Sequence, residues 1–408
     1  MKLLVLTQHF WPETFPINDI VSALAARGHD VTVATGKPNY PEGRVFDGYS
    51  ALGTQRERYL NRVDVFRVPL WPRGGARGRE LFLNYVSFVF CGLVFFPWLL
   101  RGRQFDAILV FGSSPITQAI PAILIKWIKR APLTIWIQDL WPESLSATGF
   151  VKNKFLLRQV GRIVKHIYRH SDLLLVQSRA FIEPVASFSE RRKIVYQPNA
   201  VMSPEKNSVE EIPVSLSDVL YKKFCVVFAG NLGFAQGLQT IIDAAINLKH
   251  HKHIRFILVG SGSRLSWLEE QKKMYGLDNL MLPGRFPSGA MPKIFSQSSA
   301  LLVSLSDKPA FEKTVPSKTQ MYMAAGRPIL ASLNGEGARI IEEAHCGFVS
   351  AAGDVNGLVG NVIRLWQTPV SERNRMGQAS RVYFEREFEM ETQMTKLLDK
   401  IRELKKRI

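Results

Sequence analysis

The chain has few cysteines and no metal-binding spacing. Of its 408 residues only Cys91, Cys225 and Cys346 are cysteines. They stand far apart, so no CxxC pair points to zinc or a redox centre, and their odd number argues against a disulfide framework. No DxD, no HExxH and no His/Cys cluster occurs, which points to metal-independent chemistry without a cofactor. GxSxG and Walker sequences are also missing, so nucleophilic hydrolysis and P-loop chemistry have no support. The opening MKLLVLTQHFWPE turns polar too soon for a signal-peptide core, and a cytoplasmic protein is expected. Acidic residues are the scarce charge. Lys and Arg number 53 against 35 Asp and Glu, a net charge of +18. Residues 1–200 hold 26 basic and 14 acidic residues, which is +12 of that total. Such a field favours an anionic partner, whether phosphate, nucleic acid or anionic lipid.

With 46% hydrophobic and 22% charged residues, a chain of this length reads as two globular domains. KLLVLT, HDVTVAT, VDVFRV, FDAILVFG, LTIWIQ, SDLLLVQ and KIVYQP are short β-branched runs, mostly separated by helix-length stretches. This alternation predicts βαβ units and a mostly parallel sheet covered on both faces. After the loop PNAVMSPEKNS it restarts with FCVVFAG, IRFILVG, NLMLPG, SALLVSL and RPILAS. The expected fold is α/β: two doubly wound, Rossmann-like domains, 1–200 and 201–384, facing across a cleft. One terminal helix, roughly Asn374 to Lys406, ends the chain, and its last part, about 385–408, can cross back onto the first domain. Ligands of open parallel sheets bind beyond the carboxyl ends of the strands. The loops to inspect are therefore those that follow strands.

LFLNYVSFVFCGLVFFPWLL, residues 81–100, carries no charge and is long enough to span a bilayer. It lies, however, between two strands expected in one sheet, and a single crossing would separate them. Two readings remain open: a crossover helix buried on the sheet, or one that also dips an apolar face into one leaflet. Arg73, Arg77 and Arg79 precede it, Arg101 and Arg103 follow, and Trp98 sits near its end. The helix expected over 151–170 places Lys154, Arg158, Arg162, Lys165 and Arg169 in one stripe. That stripe is either a solvated surface or a contact with lipid phosphates. Together the two segments suggest a peripheral protein on an anionic membrane, at its cytoplasmic face.

VGSGSR follows a strand, and its Gly260, Gly262 and Arg264 suit either a phosphate at a helix start or a tight turn. FEKTVPSKTQMYMAAGRPILAS, residues 311–332, combines Glu312, Lys313 and Thr314 on a loop with Pro316 at a helix start, a short helix and a strand. This segment resembles the donor-binding segment of retaining glycosyltransferases of family 4, which have the GT-B fold. GHDVTVAT, QPNAV, AGNLGFAQGL and AAGRPIL extend the resemblance over nearly the whole chain. TGKPNYPEGRVFDGY, IQDLWPES and KTVPSKTQMYMAAGRP are similar to bacterial surface-polysaccharide enzymes of the L-fucosamine transferase type.

The resemblance implies roles. Glu312 takes the place of the family's acid near the transferred sugar. Gln320 stands where a second Glu would meet the ribose, and an amide can still hydrogen-bond there. Asn231 and Gln236 stand where the family has an Arg and a Lys on the diphosphate. The diphosphate would then rely on Lys313, Lys318, Arg264, the amides of Gly230 to Gly233, and the helix start at Pro316 and Ser317. Arg285 and Phe286 fall where the base, expected to be uracil, is read. In the first domain Asp139 and Glu143 follow a strand. Asp139 could take the acceptor's proton, orient the acceptor or cap a helix. His9, Glu13, Lys37, Asn39 and Tyr40 are candidate acceptor contacts or plain loop residues.

The implied activity is metal-independent transfer of a sugar, N-acetyl-L-fucosamine or a related N-acetylhexosamine, from UDP to a polyprenyl-diphosphate-linked saccharide. The setting would be O-antigen or another surface polysaccharide. Two rivals stay open. One is a UDP-sugar 2-epimerase on the same fold. The other is a non-catalytic nucleic-acid binder, which the charge suggests but for which the interleaved surface aromatics of a known module are missing.

Overall fold

The structure, a computed structural model, describes residues 1–75, 77–147, 153–203 and 210–407. Residues 151 and 152 of the expected basic helix, and part of the Pro- and Ser-rich link, lie outside the described residues. Eight strands, β1 (Lys2–Leu6), β2 (Asp30–Gly36), β3 (Gln55–Tyr59), β4 (Val63–Val68), β5 (Ala107–Gly112), β6 (Leu133–Ile137), β7 (Leu173–Val176) and β8 (Ile194–Tyr196), form one sheet. Its order is β3-β4-β2-β1-β5-β6-β7-β8. Six more, β9 (Phe224–Ala229), β10 (Ile254–Val259), β11 (Leu280–Gly284), β12 (Ala300–Ser304), β13 (Ile329–Ser332) and β14 (Gly347–Ser350), form a second sheet, ordered β11-β10-β9-β12-β13-β14. Within these sheets only β3 with β4 is antiparallel. The chain divides into two compact units, Met1–Ala200 with Met390–Ile408, and Val201–Glu389.

Side chains alternate across a strand, so each sheet feeds two cores. In the first unit Leu4, Leu6, Ile108 and Val110 enter one core, while Leu3, Val5, Ala107 and Leu109 enter the other. β3 and β14 escaped the sequence pattern. QRERY is an edge strand of alternating intermediate and exposed residues, and GFVS is short and half-covered.

Five helices of the first unit bear on function: α1 (Pro16–Ala26), α2 (Gly78–Leu99), α3 (Ala119–Lys129), α4 (Glu143–Ala147) and α5 (Lys154–His170). The apolar segment forms most of α2, which by length and composition could cross a membrane, with 28% of its apolar window buried. A single such helix is weak evidence of a span, and β4 before it and β5 after it belong to one sheet. Its buried residues, Leu81, Asn84, Phe88, Gly92 and Phe96, make one stripe. Gly92 admits Pro121 of α3, whose Cγ would lie 2.8 Å from an added Cβ. The opposite face leaves Phe82, Val86, Phe90, Val94 and Trp98 exposed.

The single terminal helix expected from sequence is two helices, Val370–Glu387 and Met390–Arg407. Phe388 belongs to a core of the second unit, whereas Met390, Met394, Leu397 and Ile401 belong to a core of the first. One continuous helix could not serve both, and the chain breaks between them. The last helix is fastened within the first unit: Gln197 Nε2 donates to Gln393 Oε1 at 2.7 Å, and Lys400 Nζ to the Tyr196 carbonyl at 2.8 Å.

Candidate functional site

Strand order reverses between β1 and β5 in the first unit and between β9 and β12 in the second. Loops leaving neighbouring strands diverge at such points and leave a crevice.

In the second unit three loops are tied backbone to backbone. Gly230 N–H donates to Val259 O at 2.9 Å, Leu232 N–H to Ser261 O at 2.8 Å, and Gly260 N–H to Gly284 O at 2.8 Å. Gly260 has φ +145°, and a Cβ there would overlap the Gly230 carbonyl, so the position requires glycine. This corrects one expectation. The amides of Gly230 and Leu232 are committed to the loops themselves, which leaves those of Asn231 and Gly233 for a ligand. The 3-10 turn Phe234–Gln236 follows, and Ser306 N–H reaches back to the Ala235 carbonyl at 2.9 Å.

Lys318, in the helix Ser317–Ala324, reaches into this frame. Its Nζ lies 2.5 Å from Gln236 Oε1 and 3.7 Å from the centre of the Phe228 ring. Burial depresses its pKa to about 7, and no carboxylate among the described residues pairs with it. Tyr322 anchors the same helix, its hydroxyl accepting from Ala229 N–H at 2.7 Å and donating to Ala229 O at 3.2 Å. Pro316 is the cap rather than the first helical residue. Gln320 is buried beside Thr319, whose buried hydroxyl has no partner.

Arg264 is stacked between Phe234 and Trp267, 5.1 and 3.7 Å from their ring centres. Lys313, Ser317 and Arg285 are exposed, Thr314 donates to Phe311 O at 3.2 Å, and Phe286 packs on the core. Glu312 is exposed at the edge of a small hollow shared with Ser306 and Asn334. Gly335, at φ +72°, packs directly on the Glu312 backbone. Sequence reasoning missed Tyr322, Asn334 and Gly335, whose importance depends on neighbours far along the chain.

In the first unit the candidate acceptor residues meet, but they chiefly serve one another. His9 Nδ1 lies 3.1 Å from both carboxylate oxygens of buried Glu13. Glu13 also accepts from Phe10 N–H at 3.2 Å and from the N–H groups of Asn39 and Tyr40, each at 2.7 Å. Its carboxylate is filled by the loops it joins, so Glu13 is a loop builder and not an acceptor contact. His9 Nε2, in contrast, is buried without a partner among the described residues, a state that invites a ligand group.

Asn39 Oδ1 accepts from Asn84 of α2 at 3.3 Å, and Gln8 Nε2 donates to Asn84 Oδ1 at 2.7 Å. Asn84, fully buried in the apolar segment, thus fixes α2 to the site loops. Lys37 Nζ donates to Gln55 Oε1 at 2.8 Å, and burial, followed by the nearby Arg67, lowers its pKa. Tyr40 is part-exposed, with Arg73 5.2 Å from its ring centre.

Asp139 follows β6 at the head of α4. Burial raises its pKa, while hydrogen bonds with Ser144, Trp141, the Leu140 backbone and Ser114 oppose the shift. These bonds tie it to the loop before α4, and it also lines a cavity of about 480 Å³ between α2, α3, α4 and α5. Glu143 is exposed beside it. The basic stripe of α5 is exposed throughout, whereas Val164 and Ile167 are buried and Leu156 and Ile163 open to solvent. Among the described residues no group of three or more His, Cys, Asp or Glu could hold a metal ion.

Residues 17–200 match the family model for a glycosyl transferase 4-like domain, and residues 218–383 that for glycosyl transferases group 1. The chain is 26% identical over 339 residues to a protein of Escherichia coli K12 named as the colanic acid biosynthesis glycosyl transferase WcaI, covering 80% of this chain and 82% of that one. It is 26% identical over 254 residues to a Pseudomonas aeruginosa protein named as the glycosyltransferase WbjE, covering 61% and 63%. Among solved structures it is similar to Anabaena Alr3699/HepE in complex with UDP, at 14% identity and TM-score 0.69 over 99% of this chain and 100% of that one. It is also similar to sucrose-phosphate synthase from Thermosynechococcus elongatus, at 16% identity and TM-score 0.71 over 99% of each. These structures establish the GT-B fold.

Proposed function

From the premise that this chain carries a glycosyl transferase 4-like domain followed by a group 1 glycosyl transferase domain, we propose a retaining transferase. It moves a sugar from a UDP donor to a polyprenyl-diphosphate-linked saccharide during synthesis of a surface polysaccharide. The sugar we favour is N-acetyl-L-fucosamine or a related N-acetylhexosamine. The reading is supported by a relative named for colanic acid biosynthesis and by a structural neighbour that binds UDP.

The observation that carries it is Lys318. The resemblance puts a cation on the donor diphosphate at position 236, where this chain has Gln. Lys318 brings an ammonium to that same spot from a different helix, 2.5 Å from the Gln236 amide. A half-buried ammonium with no carboxylate partner among the described residues is a site prepared for an anion. Arg264 and Lys313 would add charge, the N–H groups of Asn231 and Gly233 would meet phosphate oxygens, and Gln320 would meet the ribose.

Glu312 would stabilise the positive charge that develops on the sugar. The acceptor hydroxyl attacks the anomeric carbon as its bond to the diphosphate breaks, and the departing phosphate oxygen takes the proton. Catalysis then rests on orientation and on stabilising the leaving group. In the first unit His9 Nε2 and Tyr40 are the remaining acceptor contacts. The exposed apolar face of α2 and the basic stripe of α5 would hold the protein on the cytoplasmic face of an anionic membrane.

The test is a thermal melt with UDP, GDP and ADP, followed by an assay with UDP-N-acetylhexosamines and a lipid-linked acceptor. A ligand at about 100 times its Kd stabilises by roughly 2.7 kcal/mol. A selective UDP shift with lipid-dependent turnover is expected. Conversion of a UDP-sugar without acceptor would favour the epimerase instead.

A further inference from the structure

A cavity enclosed by α2, α3, α4 and α5 lies in the first unit. It measures about 480 Å³, within the ordinary range for a small-molecule site, and its walls are Phe82, Val86 and Val89 of α2, Ile120 of α3, and Val160 and Ile163 of α5. One end is polar. Asp139 and Ser114 lie there, at the carboxyl ends of β6 and β5, and Tyr85 stands beside them, with Arg73 among its charged neighbours. The other side continues onto the open face of α2 through the exposed Phe82 and Val86, towards Phe90. The groove thus joins a membrane-type apolar surface to the loop end of the sheet, with a guanidinium at the junction.

We propose that this groove holds the first isoprene units of the acceptor lipid, with the diphosphate at Arg73 and Tyr85. The inference rests on the lipid-linked acceptor proposed above and deepens it. Three observations favour this occupant. The walls are aliphatic and aromatic, so a chain and not a sugar fits them. Arg73, beside Tyr85 of the polar end, is complementary to a phosphate, and burial, by raising the pKa of Asp139, opposes the negative charge there. The polar end also opens beside Ser114, next to the β1 and β5 switch point, where an acceptor has to be presented. A bulk lipid needs only the outer face of α2, whereas an acceptor has to bring its head group to the strand ends.

Geranylgeranyl diphosphate is the probe, titrated against the full chain while tryptophan emission is followed, since Trp141 lines the groove. Saturable binding is expected, much tighter than that of inorganic diphosphate. Val86→Trp and Ile163→Trp fill the groove from positions that are already part-exposed. Each should weaken binding by about tenfold or more while the UDP-induced melting shift persists. Arg73→Ala should weaken the isoprenyl diphosphate and leave the UDP shift intact.

The proposal is overturned if the filled variants bind the probe like the wild type, or if inorganic diphosphate binds equally well. It also fails if phosphatidylglycerol vesicles displace the probe, since the occupant would then be bulk lipid. It fails too if sedimentation shows a dimer that both Trp variants abolish, because a second copy would then fill the groove. Probe binding without any UDP response would leave the groove standing and refute the donor reading.

Discussion

The loop clusters at the two switch points are built in opposite ways. In the first unit side chains make the frame: Glu13 gathers three backbone N–H groups and a histidine, and Asn84, Asn39, Gln8 and Gln118 extend the network. In the second unit the backbone makes the frame through glycine contacts, and the polar side chains, Lys318 above all, remain open to a ligand. A polar residue near a crevice is therefore a poor guide to function until its partners are known. Carboxylates that accept several backbone N–H groups hold structure, while a half-buried cation with no carboxylate partner among the described residues is a candidate contact for an anion.

The contrast can be broken by experiment. Glu13→Ala should cost roughly 3–5 kcal/mol, because it strips a buried cluster of its acceptor. The melting temperature should fall by on the order of 10 °C. A variant that melts normally but loses acceptor affinity would return Glu13 to the ligand-binding set. Glu312→Gln should do the reverse, lowering kcat by about a hundredfold with no measurable change in melting, since the side chain is exposed.

Lys318→Met sharpens the comparison further. Loss of the ammonium should weaken UDP-sugar binding by about tenfold, whereas the melting temperature should hold or rise, because a buried charge disappears. An enzyme unchanged in both respects would remove the diphosphate role.

The smallest effect is on pH. A diphosphate needs the charged form of Lys318, so UDP affinity should fall as pH rises above about 7. For stability the sign is opposite. The folded-state pKa is depressed below the ordinary lysine value of 10.5, so between about 7 and 10.5 the unfolded chain binds more protons. The destabilisation from Lys318 is full below pH 7 and fades as pH climbs to 10.5. Calorimetric UDP titrations and melts at several pH values should show both trends, and both should vanish in Lys318→Met.

Twelve of the strands were legible because strands of a covered parallel sheet are rich in Val, Ile, Leu and Phe. β3 was not, because QRERY is a polar edge strand, and β14 was not, because GFVS opens on Gly and offers only Phe and Val. The terminal helices read as one because helical periodicity is local, while the break at Phe388 reflects two different cores. At the site, Glu312, Lys318 and Gln320 were found by motif. Asn84 was overlooked inside an apolar run, and Glu13 could not be told from a ligand contact, since its partners lie up to 27 residues away.

Sequence by itself determined the alternation of strand and helix, the α/β class, the GT-B resemblance and the excess positive charge, all of which depend on residue type and short-range spacing. Only the tertiary structure decided which polar groups are consumed and which are open. It also decided that the Lys318 side chain meets Gln236, and that α2 and α5 enclose a groove ending at Asp139. Those outcomes depend on distances between residues remote in the chain, which folding sets and spacing along the sequence does not encode.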